Sequence, residues 1–105
     1  MAKTIWQIEL DYKRAVRQGK QLLQLAGKLE QMEPGLQDIL VQLENAWTGE
    51  AADTFRKKGM AAKAEMTLQA AQIRATARLI TKTAENTRRA EIRALQIAER
   101  ERGSQ

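Results

Sequence analysis

Any chemistry in this 105-residue chain has to come from carboxylates, amines and guanidinium groups, because the sequence holds no Cys and no His. Thiol nucleophiles, imidazole acid–base catalysis, disulfides and the usual zinc or haem ligands are therefore absent as residue types. Thirteen Asp/Glu and eighteen Lys/Arg remain. None is arranged with a His in the pattern that a di-metal helical bundle uses. The expectation is a protein that is not an enzyme, with no catalytic, cofactor-binding or metal-binding residues and no cofactor.

The charges point to binding instead. Residues 1–55 carry 6 Lys/Arg against 8 Asp/Glu, and residues 56–105 carry 12 against 5. Arg74, Arg78, Lys82 and Arg89 fall close to helical spacing. Such a row suits a nucleic-acid backbone or another acidic surface. No aromatic interleaves with it for base stacking, however, and a long solvated helix needs the same residues.

The elements that carry these groups are legible from periodicity. A line of alternating three- and four-residue steps runs Ile5, Ile8, Tyr12, Ala15, Gly19, Leu22, Ala26, Leu29, Glu33, Leu36, Leu40, Leu43, Trp47. Only Gly19 and Glu33 interrupt its apolar character, so it predicts one long helix with a heptad seam. Leu25, Met32, Ile39 and Ala46 widen the seam on one flank, and Val16 and Leu23 on the other. A strip that broad can face a partner as well as its own second helix. Pro34 removes one helical hydrogen bond at a cost of about 3 kcal/mol. With the heptad phase equal on both sides, it predicts a kink or one-turn break near 33–35, or else a chain reversal that would make three helices.

Trp47-Thr48-Gly49 lies near the midpoint. Gly49 can adopt backbone angles denied to other residues, and Trp47 can plug the end of a seam between two helices. Beyond it, Thr48 is an expected N-cap, with Glu50 and Asp53 in the positive first turn of a second helix. A thinner line then follows through Ala52, Phe55, Gly59, Ala62, Met66, Gln69, Ile73, Thr76, Ile80, Thr83, Thr87, Ala90, Ala94 and Ile97. Gly103 is the expected stop, with Ser104 and Gln105 frayed. The fold expected is all-α: a single domain over 1–105, a helix–turn–helix hairpin with helices at about 5–46 and 50–102. Two helices form one layer, whereas stable domains need two. Pairing into a four-helix bundle dimer follows, its interface drawn from Leu22, Leu25, Leu29, Met32, Leu36, Ile39, Leu40 and Leu43. No cleavable signal or apolar run of membrane-spanning length is visible.

Length, the central Trp47-Thr48-Gly49, the run WTGEAADTF that sets Phe55 eight positions after Trp47, and the long amphipathic arms resemble the WXG100 (ESAT-6-like) family of type VII secretion systems. The resemblance covers nearly the whole chain. It implies a hairpin that pairs antiparallel with itself or with a sister protein, and a virulence-associated role as secreted substrate or as export partner of a larger effector. The implied partners are a similar hairpin, a toxin's helical N-terminal domain and the secretion ATPase. The protein would be cytoplasmic before export, then secreted without a cleaved signal peptide. The family's export signal, an aromatic followed four residues later by an acid, is degenerate here: Leu95 with Glu99, and Ile97 with Glu101, keep the spacing without the ring. A basic hairpin adaptor unrelated to secretion, binding nucleic acid or an acidic surface, is the alternative.

Overall fold

The computed structural model describes residues 3–103 and shows an all-α helical hairpin, with α1 at Ile5–Ala46 and α2 at Glu50–Gly103. The frayed end expected at Ser104 and Gln105 lies outside the described residues. Helix α1 opens on a reciprocal cap. The Thr4 hydroxyl accepts from the Gln7 amide at 3.2 Å, and the Gln7 side-chain oxygen accepts from the Thr4 amide at 2.9 Å. This capping box satisfies N–H groups that the first turn leaves unpaired.

Helix α1 continues through Pro34 without a break. Among the described residues no one-turn interruption and no third helix form. The ring is exposed, so the carbonyl that loses its partner stays within reach of water.

At the bend, the Trp47 amide still donates to the Leu43 carbonyl at 2.9 Å, closing the last turn of α1. Gly49 has φ of 110°, a region that a β-carbon disfavours. Its carbonyl accepts from the Asp53 amide at 3.0 Å, so α2 begins from Gly49. The cap expected from Thr48 is therefore supplied one residue later, by the glycine. Glu50 and Asp53 sit in the first turn, and Arg100 and Arg102 in the last, each complementing the helix dipole.

The contacts divide the hairpin into a bend unit, Leu22–Ala75, and a terminal unit, residues 3–21 with 76–103. Within the bend unit the helices run antiparallel, with Leu40 against Gly59, Glu33 bonded to Thr67 and Glu30 to Arg74. Its buried apolar residues are Ala26, Leu40, Ala52 and Ala70. A β-carbon on Gly59 would collide with the Leu40 side chain, so the missing side chain is what admits the leucine. Within the terminal unit Ile8 and Ala77 are buried. There Gly19 sets α1 close to α2: a β-carbon would lie 2.9 Å from the Thr81 hydroxyl and 3.4 Å from the Ala77 carbonyl.

The α1 seam agrees with the heptad line from Ile8 to Leu43, every member being buried or half-buried. The α2 seam does not. Ala52, Gly59, Met66, Ile73 and Ile80 face inward as expected, but Phe55, Ala62, Gln69, Thr76, Thr83, Thr87, Ala90, Ala94 and Ile97 are exposed. Their places are taken one residue later by Arg56, Lys63, Ala70, Ala77, Ala84, Arg88, Glu91, Leu95 and Ala98. The physical reason is size and reach. Alanines at 70, 77 and 84 let the helices approach, while Arg56 and Lys63 lay aliphatic stems along the seam and carry their charges out.

Candidate functional site

Two flanks of the bend unit differ in chemistry. On one, polar groups of the two helices bridge the seam. Arg56 reaches Glu44 at 3.6 Å, Lys63 donates to Gln37 at 2.8 Å, the Thr67 hydroxyl donates to Glu33 at 2.6 Å, and Arg74 pairs with Glu30. The Arg74 guanidinium holds the Glu30 carboxyl below the usual carboxylate range, and Glu30 in turn raises Arg74. On the other flank, Leu25, Met32 and Ile39 are 47%, 58% and 54% exposed. In the observed heptads Glu30, Gln37 and Glu44 each follow a seam position, Glu33 is itself one, and Leu25, Met32 and Ile39 each precede one, which places the apolar row opposite Glu30, Gln37 and Glu44. Ala62 and Phe55 occupy the corresponding flank of α2, and both are exposed.

The eight residues expected at an interface thus separate into two groups. Leu40 is buried, and Leu22, Leu29, Leu36 and Leu43 are half-buried, all on the inner line of α1. Leu25, Met32 and Ile39 alone remain open. Val16 and Leu23, on the other flank, are half-buried and 38% exposed.

At the bend, the Trp47 and Phe55 rings meet at 6.2 Å between centroids with a 56° tilt. Trp47 is 42% exposed, so it covers the end of the seam with one face and offers the other outward. Phe55 is half-exposed beside it. Thr48 and Gly49 are exposed in the turn itself.

The terminal unit carries an open groove of about 450 Å³, floored by Ile8, Tyr12, Ala15, Ile80 and Ala84. Its rim is ionic. Lys3 lies 2.9 Å from both Asp11 and Glu91, and these bonds, Asp11's first, raise its pKa. Arg88 donates to Glu9 at 2.8–2.9 Å, is raised by it, and stands 5.4 Å from the Tyr12 ring centroid. Each rim cation is matched by a carboxylate, so the groove presents an apolar floor and a rim whose charges are already paired. A second, shallow depression of about 320 Å³ is lined by Tyr12, Lys13, Val16, Arg17 and Lys20.

The residues expected from the resemblance to form a degenerate export signal all lie in the last turns of α2. Leu95 is half-buried, Ile97 is 49% exposed, and Glu99 and Glu101 are exposed. Ile97 is therefore outward, correcting its place on the expected seam. Of the basic row, Arg74 is engaged by Glu30, while Arg78, Lys82 and Arg89 stay exposed in the terminal unit. Sequence periodicity located the apolar row but passed over Lys13, Arg17 and Lys20, whose signal is that α1 has no acidic residue between Asp11 and Glu30. Among the described residues no group of three or more acidic side chains is placed to hold a metal ion, and no helix is long and apolar enough to cross a membrane.

No family model, no curated protein and no solved structure matches this chain.

Proposed function

We propose that this protein works by binding: it is a WXG100-like hairpin that dimerises, with itself or a sister hairpin, and serves a type VII secretion system as substrate or export partner. The observation that carries the reading is the row of Leu25, Met32 and Ile39, open on one flank of the bend unit while polar pairs close the other. A one-sided apolar row fits a second helical layer better than a ligand, and the surface total points the same way. The chain exposes 8296 Å², against about 5,900 Å² for a compact protein of its mass. The excess exceeds the roughly 800 Å² per partner that a standard interface needs.

The secretion reading is supported by the motif at the bend. Gly49 has the positive φ that only glycine adopts freely, and Trp47 meets Phe55 across the turn. The family's pairing of a tryptophan with a glycine thus has a structural reason in this chain. With an aliphatic residue in place of the ring at Leu95 and Ile97, the export signal is assigned to a partner, or this chain acts from the cytoplasm as an adaptor.

The test is to express the tagged chain in a host with and without a functional type VII ATPase. An ATPase-dependent fraction in the culture supernatant is expected, lost on Gly49→Val. If neither this chain nor any protein that co-purifies with it shows ATPase-dependent export, the secretion reading is overturned while the dimer remains to be tested on its own.

A further inference from the structure

The fold sorts charge in a way that the linear sequence does not. The terminal unit gathers twelve Lys/Arg against six Asp/Glu, whereas the bend unit holds six against seven. The entire positive balance of the protein therefore belongs to one unit. Within it, Arg88 of α2 pairs with Glu9, and the other α2 cations have no ion-pair partner among the described residues. Lys13, Arg14, Arg17 and Lys20 of α1 are exposed, and none has an ion-pair partner among the described residues.

Trp6, Lys13 and Lys20 are spaced seven apart with Arg17 between the last two, so they form one outward stripe along α1, about 20 Å long. Trp6 is 70% exposed and Ile5 beside it 50%, at the start of the helix. The three cations of the stripe border the 320 Å³ depression, which Tyr12 and Val16 floor. An exposed indole beside a row of cations has two needs at once. The ring favours a place between water and hydrocarbon, and the cations favour a dense plane of phosphate.

We infer that this stripe is a peripheral membrane contact: the terminal unit docks on the headgroup surface of an anionic bilayer, with Trp6 at headgroup depth and Lys13, Arg17 and Lys20 on lipid phosphates. Four basic residues within eight positions of an amphipathic helix match the density at which anionic lipid is recognised. A nucleic-acid backbone would satisfy the cations but leave Trp6 and Ile5 in water, since a lone ring at the helix end has no neighbouring aromatic to form a stacking platform. The inference stands on the terminal unit alone and is independent of the secretion reading.

The experiment is co-sedimentation of the full chain with phosphatidylcholine vesicles, with and without phosphatidylglycerol. Binding is expected only with phosphatidylglycerol, and it should fall with added salt. At about fivefold per basic residue near an anionic surface, the triple variant Lys13→Gln, Arg17→Gln, Lys20→Gln should bind on the order of a hundredfold more weakly. A control removing equal charge from the bend unit, Lys28→Gln, Lys57→Gln, Lys58→Gln, should bind as the parent does. All six positions are exposed, so helical circular dichroism should be unchanged in both. Brominated acyl chains should quench the parent's fluorescence and spare Trp6→Phe. Equal losses in the two triple variants, equal binding to neutral vesicles, or no vesicle binding beside tight binding of duplex DNA would each overturn the inference.

Discussion

Replacing Leu25, Met32 and Ile39 together with glutamine is the most direct perturbation of the proposed interface. The three are 47%, 58% and 54% exposed, so the hairpin itself gives up little, and glutamine is a good helix former. Full burial of such a side chain is worth about 1.5–3 kcal/mol. The exposed half of each leaves about 1 kcal/mol, or roughly 3 kcal/mol per copy. In a two-fold dimer every residue counts twice, giving roughly 6 kcal/mol. At 1.4 kcal/mol per decade, the dissociation constant should weaken on the order of ten-thousand-fold. Light scattering on a gel-filtration column should show the parent at twice 11.9 kDa and the variant at the single-chain mass. Because among the described residues only Ile8 and Leu40 of the buried apolar side chains are larger than alanine, melting of the parent should rise with protein concentration, and that of the variant should not. A variant that keeps the dimer mass would refute the assignment of the interface to this row. A parent that is monomeric, with melting independent of concentration, would refute the dimer.

Leu40 is 5% exposed and seated over Gly59, so Leu40→Ala should cost about 2–5 kcal/mol of folding stability, read from the denaturant midpoint. Gly59→Ala should be neutral or destabilising despite a helix-propensity gain of about 1 kcal/mol, because its β-carbon meets Leu40; Gly27→Ala, with nothing within 4 Å, should keep that gain. Gly49→Ala should cost about 1–2 kcal/mol by forcing a β-carbon into positive φ, a loss measurable in urea. Glu30 has a lowered folded pKa, so its pairing with Arg74 contributes stability above the ordinary carboxylate pKa and loses it as pH falls through the lowered value. The melting temperatures of the parent and Glu30→Gln should therefore differ slightly at neutral pH and converge in acid.

Much of α1 could be read directly, and the reason lies in contrast. Leucines and isoleucines stand every third or fourth residue among Gln, Lys and Glu, so only one face can be inward. Gly49 likewise announces a turn, because it follows a long seam and precedes a run with Glu50 and Asp53 at its head. The apolar flank of Leu25, Met32 and Ile39 was also visible, as residues in excess of what one seam uses. The capping box at Thr4 and Gln7 also has a sequence signature, the three-residue spacing of a threonine and a glutamine ahead of an apolar run. Thr48 misled because a threonine before an acidic first turn is a frequent cap, whereas a glycine in positive φ had already set the direction of α2.

Sequence by itself determined the helical class, the two helix spans, the bend and the inner face of α1, all of which follow from backbone propensity and strong hydropathic contrast along one segment. Only tertiary structure decided which side of α2 turns inward. Hydropathy favours Phe55 and Ala62 over Arg56 and Lys63 near the bend but Ala70 and Ala77 over Gln69 and Thr76 further on, so the pattern along α2 conflicts and the chain does not choose alone. The choice falls to what α1 presents: Leu40 needs the space at Gly59, Glu30 needs Arg74, and Gln37 needs Lys63. Tertiary structure likewise brought Lys13, Arg17 and Lys20 into one unit with Arg78, Lys82 and Arg89, which lie more than fifty residues away along the chain. Antiparallel pairing sums charge across the seam rather than along the chain.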